Sequence, residues 1–213
     1  MDGTARTLTG RTADGRAAGG RARTERRRED LVERLIEVFL DRGFAELSVA
    51  ELAAVLHCSK STLYTVAPSR EQIIVTVVRA FFRRATAQVE AELDGSADPR
   101  DRVGAYLRAI SDALAPASPA FFADLDAFAP AREIYQRNTG FAVRRVQGLV
   151  TEAASDADAD VDAAFVGVVA GQVMESIHRG EIKARTGLDD SAAYAALASL
   201  IVARMTGGRA RPA

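Results

Sequence analysis

Apolar residues first fall into step at Leu31, Leu35, Val38 and Phe39, three or four positions apart, the spacing of one buried face on a helix. The pattern begins near Thr24 and stops at Gly43, a residue suited to a left-handed C-cap. Three short helices are predicted next, each opened by a serine. Ser48 and Glu51 have capping-box spacing, with Val49, Leu52, Ala53 and Leu56 on the inner face. Ser59 opens a helix containing "KSTLY", and Ser69 with Gln72 repeats the box just after Pro68.

"EQIIVTVVRAFFRRATAQVEAEL" then predicts a long helix with Ile73, Ile74, Val77, Val78, Phe81 and Phe82 inward, ending near Asp94-Gly95. Asp98-Pro99 restarts the chain with a cap and a proline at the first helical position, and Ser118-Pro119 does so again. Further helices are predicted over about 119–129, 131–154, 160–182 and 191–206. No two-residue alternation bounded by hairpin turns is sustained anywhere, so the expected class is all-α with about nine helices. Residues 1–24 show no periodicity and too little apolar surface to offset their ordering entropy, which predicts a disordered arm. Residues 208–213 are expected to form a flexible tail.

Composition narrows the chemistry. The chain has 213 residues, 48% hydrophobic and 27% charged, enough for one large domain or two smaller ones. A single cysteine excludes an internal disulfide, and two histidines far apart do not make a structural zinc site. No metal or cofactor is therefore expected. The Arg/Gly/Ala/Thr-rich N-terminus lacks the apolar stretch of a secretory signal. The longest uncharged apolar run, "AAFVGVVAGQVM", falls short of the roughly 18–20 residues of a membrane span, so a cytoplasmic protein with no membrane partner is expected. The net charge of −1 conceals an asymmetry: residues 1–28 carry eight arginines against Asp2, Asp14 and Glu25, a balance of +5, whereas residues 29–75 balance at −4.

The helices over Val49–Leu56 and Lys60–Val66 flank the short polar link His57-Cys58-Ser59, the length and polarity of a helix-turn-helix. Lys60, Ser61, Thr62, Tyr64 and Thr65 face outward on the second helix, with donors for phosphates and base edges, and Leu63 anchors it. The stretch "GFAELSVAELAAVLHCSKSTLYTVAPSREQI", Gly43 to Ile73, resembles the DNA-binding segment of TetR-family transcriptional regulators, without a gap, in an ordered series of residues with distinct mechanical roles.

That resemblance implies three domains' worth of function: the arm, a helix-turn-helix domain over residues 25–72, and a helical ligand-binding and dimerisation domain over 73–207. It implies DNA contact by Ser48, Val49, Ser59, Lys60, Ser61, Thr62, Tyr64, Thr65 and Arg70, the last standing where the family usually has a phosphate-gripping lysine. It implies an effector cavity among the middle helices, for which Phe82, Tyr106, Phe121, Phe122, Phe128, Tyr135, Phe141, Met174 and His178 are the candidates. It also implies a homodimer through the last two helices, with Ala195, Leu197, Ala198, Leu200, Ile201 and Met205 on the final one and the G-x-x-x-G of Gly167–Gly171 nearby. Core packing is the alternative reading for the aromatics and for the glycines.

The chain departs from the family pattern in places. His57 replaces the glycine of the turn, where positive φ is expected, and histidine tolerates it better than most residues. Cys58 replaces valine and is expected to pack as a small hydrophobe; as a nucleophile it lacks a partnered base. Thr65-Val66-Ala67 lacks the family's His/Tyr and Phe, which weakens the expected grip on DNA. Arg21, Arg23, Arg26, Arg27 and Arg28 of the arm are candidates to make up the difference on the phosphate backbone or in a minor groove. The acidic run from Asp156 to Asp162 lacks the glycine and glutamate of a calcium loop and reads as a cap for the next helix.

The expected function is a DNA-binding regulator, a repressor released from a palindromic operator by a small, mostly apolar ligand. Two other classes stay open: a helical interaction module with decayed DNA binding, kept open by Thr65-Val66-Ala67, and an all-helical enzyme, for which no paired acid and base, nucleophile motif or phosphate loop is present.

Overall fold

The computed structural model describes residues 10–93, 98–157 and 161–206, and every regular element among them is a helix. In chain order these are α1 (Gly10–Arg42), α2 (Val49–Val55), α3 (Lys60–Leu63), α4 (Arg70–Leu93), α5 (Pro99–Leu114), α6 (Pro119–Ala127), α7 (Ala129–Ala157), α8 (Ala163–His178), α9 (Glu181–Thr186) and α10 (Asp190–Thr206). The serine caps work as their spacing predicts. Ser48 Oγ accepts from Glu51 N at 3.2 Å while Glu51 Oε2 accepts from Ser48 N at 2.8 Å, which also holds the Glu51 carboxyl below its ordinary pKa. Ser59, Ser69 and Ser118 accept from Thr62, Gln72 and Phe121 amides. Each such cap contributes about 1 kcal/mol to helices too short to stand alone.

Two expectations require correction. Helix α1 begins at Gly10, so the described part of the predicted disordered arm is helical; residues 1–9 and the predicted tail lie outside the described residues. Helix extension from an existing nucleus is inexpensive, and Ala and Arg both favour it, so the packed segment from Leu31 onward can carry a helical extension toward the N-terminus. The helix predicted over 160–182 is instead two: α8 stops at His178, Gly180 adopts φ +72°, and α9 runs separately from Glu181.

Two hydrophobic cores are strung along α4. The first joins α1, α2 and α3 to Ile73, Ile74, Val77, Val78, Phe81 and Phe82 of α4, and it also takes in Phe121, Phe122 and Leu125 of α6. The second joins Ala85, Val89 and Leu93 of α4 to α5, α7, α8 and α10. Helix α6 therefore packs with the N-terminal helices although it follows α5 in the chain.

Gly43 shows how closely these parts meet. It has φ +74°, as a C-terminal stop requires, and a methyl there would overlap Asp124 Oδ2 and lie 3.2 Å from the Ala120 carbonyl. The same Asp124 oxygen accepts from Phe44 N at 2.5 Å and Ala45 N at 2.8 Å, and Ser118 N donates to Leu40 O at 2.8 Å. Gly43→Ala should thus cost at least ~2 kcal/mol in urea unfolding, combining left-handed strain with loss of the Asp124 clamp. An unchanged midpoint would show that Asp124 does not hold this turn.

Candidate DNA-binding and effector sites

Helix α3 is a single turn held by one buried side chain, Leu63, and by the Ser59 cap. This anchoring leaves Lys60, Ser61, Thr62, Tyr64 and Thr65 exposed together, with Tyr64 at 45% exposure. The turn before it is formed as expected: His57 has φ 51°, and Cys58 is half-buried against the first core. Val66 is buried and Ala67 packs beside it, so smaller residues fill the place under α3 that an aromatic would occupy. Three arginines stiffen the unit by donating to backbone carbonyls: Arg34 to Leu56 O at 2.6 Å, Arg28 to Val66 O at 3.1 Å, and Arg70 to Leu47, Phe44 and Ala45 oxygens at 2.6–2.8 Å.

The predicted DNA-contact set divides accordingly. Lys60, Ser61, Thr62, Tyr64 and Thr65 share one exposed surface, although the Thr65 hydroxyl already donates to Thr62 O at 2.6 Å. Ser59 Oγ is 2.7 Å from Ser61 Oγ and 2.8 Å from Thr62 Oγ1 and serves chiefly as a cap, as Ser48 does for α2. Val49 is half-buried and packs on the core. Arg70, expected to grip a phosphate, donates its guanidinium to three carbonyls of the α1–α2 connection. Of the arm arginines, Arg23, Arg26 and Arg27 are exposed, while Arg28 is tied to Val66 O and lies 3.6 Å from Glu25.

Between α4, α5, α7, α8 and α10 lies a cavity of about 360 Å³. Tyr106, Tyr135, Phe141, Met174 and His178 of the predicted set line it. Phe82, Phe121 and Phe128 do not: Phe82 and Phe121 lie in the first core, and Phe128 packs edge-on against Phe44. Phe122 borders a second cleft of about 640 Å³ that shares Leu114, His178 and Tyr194 with the first. Tyr194, Glu90, Asn138, Thr139 and Arg145 line the cavity without having been expected from sequence; helical spacing on α7, with Tyr135, Asn138, Thr139, Ala142 and Arg145 on one face, carries the signal for three of them.

The shared wall of the two cavities is a hydrogen-bonded relay. His178 Nδ1 is 2.7 Å from the Tyr135 hydroxyl and Nε2 is 2.9 Å from that of Tyr194. Phe122 stacks on the imidazole at 4.7 Å between centroids and 8° between planes. Burial lowers the His178 pKa to about 4 and raises those of both tyrosines. A neutral imidazole offers one donor and one acceptor, so one tyrosine donates to it and the other accepts. Because the unfolded chain binds this proton near pH 6.5 and the folded chain only near pH 4, His178 lowers stability progressively as pH falls through that window. The loss should reach about 2–3 kcal/mol near pH 4 and be absent above pH 7. His178→Gln should flatten that part of the pH–stability curve in urea titrations; an equally steep curve would refute the assignment.

Helix α6 connects this relay to the helix-turn-helix unit. Phe122 reaches His178, Asp124 holds the Phe44 and Ala45 amides, and Asp126 meets Arg179 at the end of α8 at 3.4 Å.

On the outer side of α8 and α10 an apolar groove is exposed, with Phe165 at 67% and Leu200 at 71% exposure and Val169 and Leu188 beside them. Of the residues predicted for this face, Leu200 and Ala195 are exposed, Leu197 and Ile201 form the floor of the groove while also packing in the second core, and Ala198 and Met205 are buried in that core. Gly167 and Gly171 are buried and turned inward. A methyl on Gly171 would meet Val143 Cγ2 at 2.6 Å, so the G-x-x-x-G brings α8 close to α7 within the chain. Asp162 caps α8 by accepting from Phe165 N at 3.0 Å, and much of the rest of the acidic run lies outside the described residues. Among the described residues no group of His, Cys, Asp and Glu is placed to hold a metal ion, and no helix is long and apolar enough to cross a membrane.

No protein-family model matches the chain. The HTH-type transcriptional regulator BetI of Rhizobium meliloti is 27% identical over 82 residues, which is 38% of this chain; the match spans only 40% of that relative's length. Similar solved structures include a protein from Rhodococcus described as a TetR-family regulator, with TM-score 0.62 and 19% identity over 84% of this chain and 98% of that one. A transcriptional regulator from Saccharomonospora viridis in complex with choline has TM-score 0.68 and 16% identity over 82% and 94% of the two chains. The regulator FadR from Bacillus subtilis in complex with stearoyl-CoA has TM-score 0.63 and 13% identity over 82% and 97%. With ten helices among the described residues, a capped helix-turn-helix, and likeness to these structures over more than four fifths of its length, the chain has the fold of the TetR-family transcriptional regulators.

Proposed function

We propose that this protein is a dimeric DNA-binding transcriptional regulator of the TetR type, acting as a repressor released from its operator by a small ligand. The observation that carries the reading is the exposed polar surface of α3 and its C-terminal turn, Lys60 to Thr65, on a helix whose anchor Leu63 faces the other way and whose cap is Ser59. A structural role leaves that face without a purpose, whereas a major groove is matched by its donors and its tyrosine ring. Burial of Phe165 and Leu200 against a second copy would pair two such helices about a two-fold axis, making the operator a near-palindrome.

Ligand control needs no chemistry. A molecule in the 360 Å³ cavity touches Tyr135 and His178, and any shift of the imidazole is passed by Phe122 to α6 and by Asp124 to the start of the helix-turn-helix. The ligand favours the DNA-incompetent arrangement by no more than its difference in affinity for the two. A second reading, an interaction module with weakened DNA binding, draws support from the engaged Thr65 hydroxyl and the small Val66 and Ala67.

Titrating the protein against its own upstream region at several salt concentrations separates the two. A repressor gives a footprint on a near-palindrome and affinity falling steeply with salt. Deleting residues 1–24 should lower affinity and flatten that slope if Arg21 and Arg23 lie along the backbone. Absence of a footprint at low salt would leave only the interaction module.

A further inference from the structure

We infer that the occupant of the α4–α5–α7–α8–α10 cavity is an elongated apolar monoanion whose carboxylate is received by Arg145. The inference rests on the reading of that cavity as the effector site and adds the chemical class. Arg145 Nη2 pairs with Glu90 at 3.2 Å, but its Nε–H is buried and finds no acceptor. A buried donor on a charged group is costly to leave unmatched, and the guanidinium removes that cost by turning toward a ligand carboxylate in the cavity that Arg145 lines.

Charge points the same way. The ionised groups lining the cavity are Arg144, Arg145 and Glu90, and the buried His178 is neutral, so the wall carries one uncompensated positive charge. Arg144 lies with its guanidinium carbon 4.7 Å above the Phe141 ring, which leaves Glu90 as the one carboxylate of this wall facing the two arginines. A cationic ligand would have to compete with both of them for that carboxylate. An anion gains from both and displaces nothing unless it also takes Arg145 Nη2.

Shape follows from the helix that supplies most of the wall. Tyr135 and Arg145 are ten residues apart on one face of α7, which places the two polar ends of the cavity roughly 15 Å apart. Between them the lining is Ala85, Val89, Ile110, Ala113, Ala142 and Met174. At the far end Tyr135, Asn138 and Thr139 supply weaker, neutral hydrogen bonding beside His178. A charged head at Arg145 and a hydrocarbon body reaching toward Tyr135 satisfy each wall in turn.

Isothermal titration of the full chain with decanoate, decanol and decyltrimethylammonium tests this, since the three share a tail and differ in head charge. Decanoate should bind at least ~10-fold more tightly than either of the others, as a charge-assisted hydrogen bond implies. Arg145→Met should remove that preference while leaving decanol binding unchanged. Glu90→Gln should strengthen decanoate several-fold by freeing Arg145 and removing a like charge, an effect that loss of folding cannot imitate. Equal binding of acid and alcohol, tighter binding of the cation, or weaker decanoate binding by Glu90→Gln would overturn the anion assignment while leaving the cavity as a ligand site. Binding of none of the three would overturn the effector-site reading itself.

Discussion

Alanine at both Lys60 and Tyr64 is expected to bring operator affinity down to that for unrelated duplex while leaving the fold and the dimer intact. Lys60 opens α3 and Tyr64 caps its end, both side chains are exposed, and neither makes a side-chain hydrogen bond among the described residues. The anchoring is done by Leu63, Val66 and the Ser59 cap, which the double variant retains. Each specific contact to a base edge contributes about 1–3 kcal/mol, so losing two lowers specific affinity by at least ~30-fold. Truncation of exposed side chains away from caps and core changes stability by only about 0.5 kcal/mol each. Gel-shift titration beside thermal melting separates the two effects. Normal operator binding by the double variant would mean that some other surface reads the DNA.

The second large effect concerns the outer face of α8 and α10. Leu200→Glu should convert the dimer to monomer at micromolar concentration, with Phe165→Glu reinforcing it. A two-fold interface meets every substitution twice, so two leucines leave and two carboxylates enter. Burial of one large apolar side chain is worth about 1.5–3 kcal/mol, and loss of two raises the dimer dissociation constant by at least ~100-fold before the buried charges are counted. Sedimentation measures this directly. Because Leu200 is 71% exposed in the single chain, the substituted monomer should keep its own stability. A wild-type protein that sediments as a monomer at those concentrations would sink the dimer reading, and with it the palindromic operator.

Glu51, Ser59 and Ser118 illustrate what is legible in local sequence. A cap is a contact between residues three apart, so its spacing is visible without knowledge of the fold. Apolar periodicity is local in the same sense, and it marks Leu31 to Phe39 and Ile73 to Phe82 as inner faces correctly. His57 belongs to this class too, since a turn of that length demands positive φ from whichever residue occupies it. Lack of apolar periodicity before Thr24 does not prevent a helix from continuing through that segment, because extension of α1 depends on local backbone bonds and not on a buried face.

Phe82, Phe121 and Phe128 were assigned to a cavity they do not line, while Arg145 and Tyr194 were overlooked. An aromatic on an inner face looks the same in sequence whether it meets another side chain or empty space, because both are apolar surroundings. Arg70 and Gly167 make the same point for polar and small residues: one turned out to clamp carbonyls and the other to press on α7. The sequence by itself determined the helices, their caps and the polar face of α3, since these depend on residues within one or two turns of each other. Only the tertiary structure decided which aromatics border the cavity, how α6 joins His178 to Phe44, and where Arg145 Nε is left without an acceptor, because those follow from the distances between helices far apart in the chain.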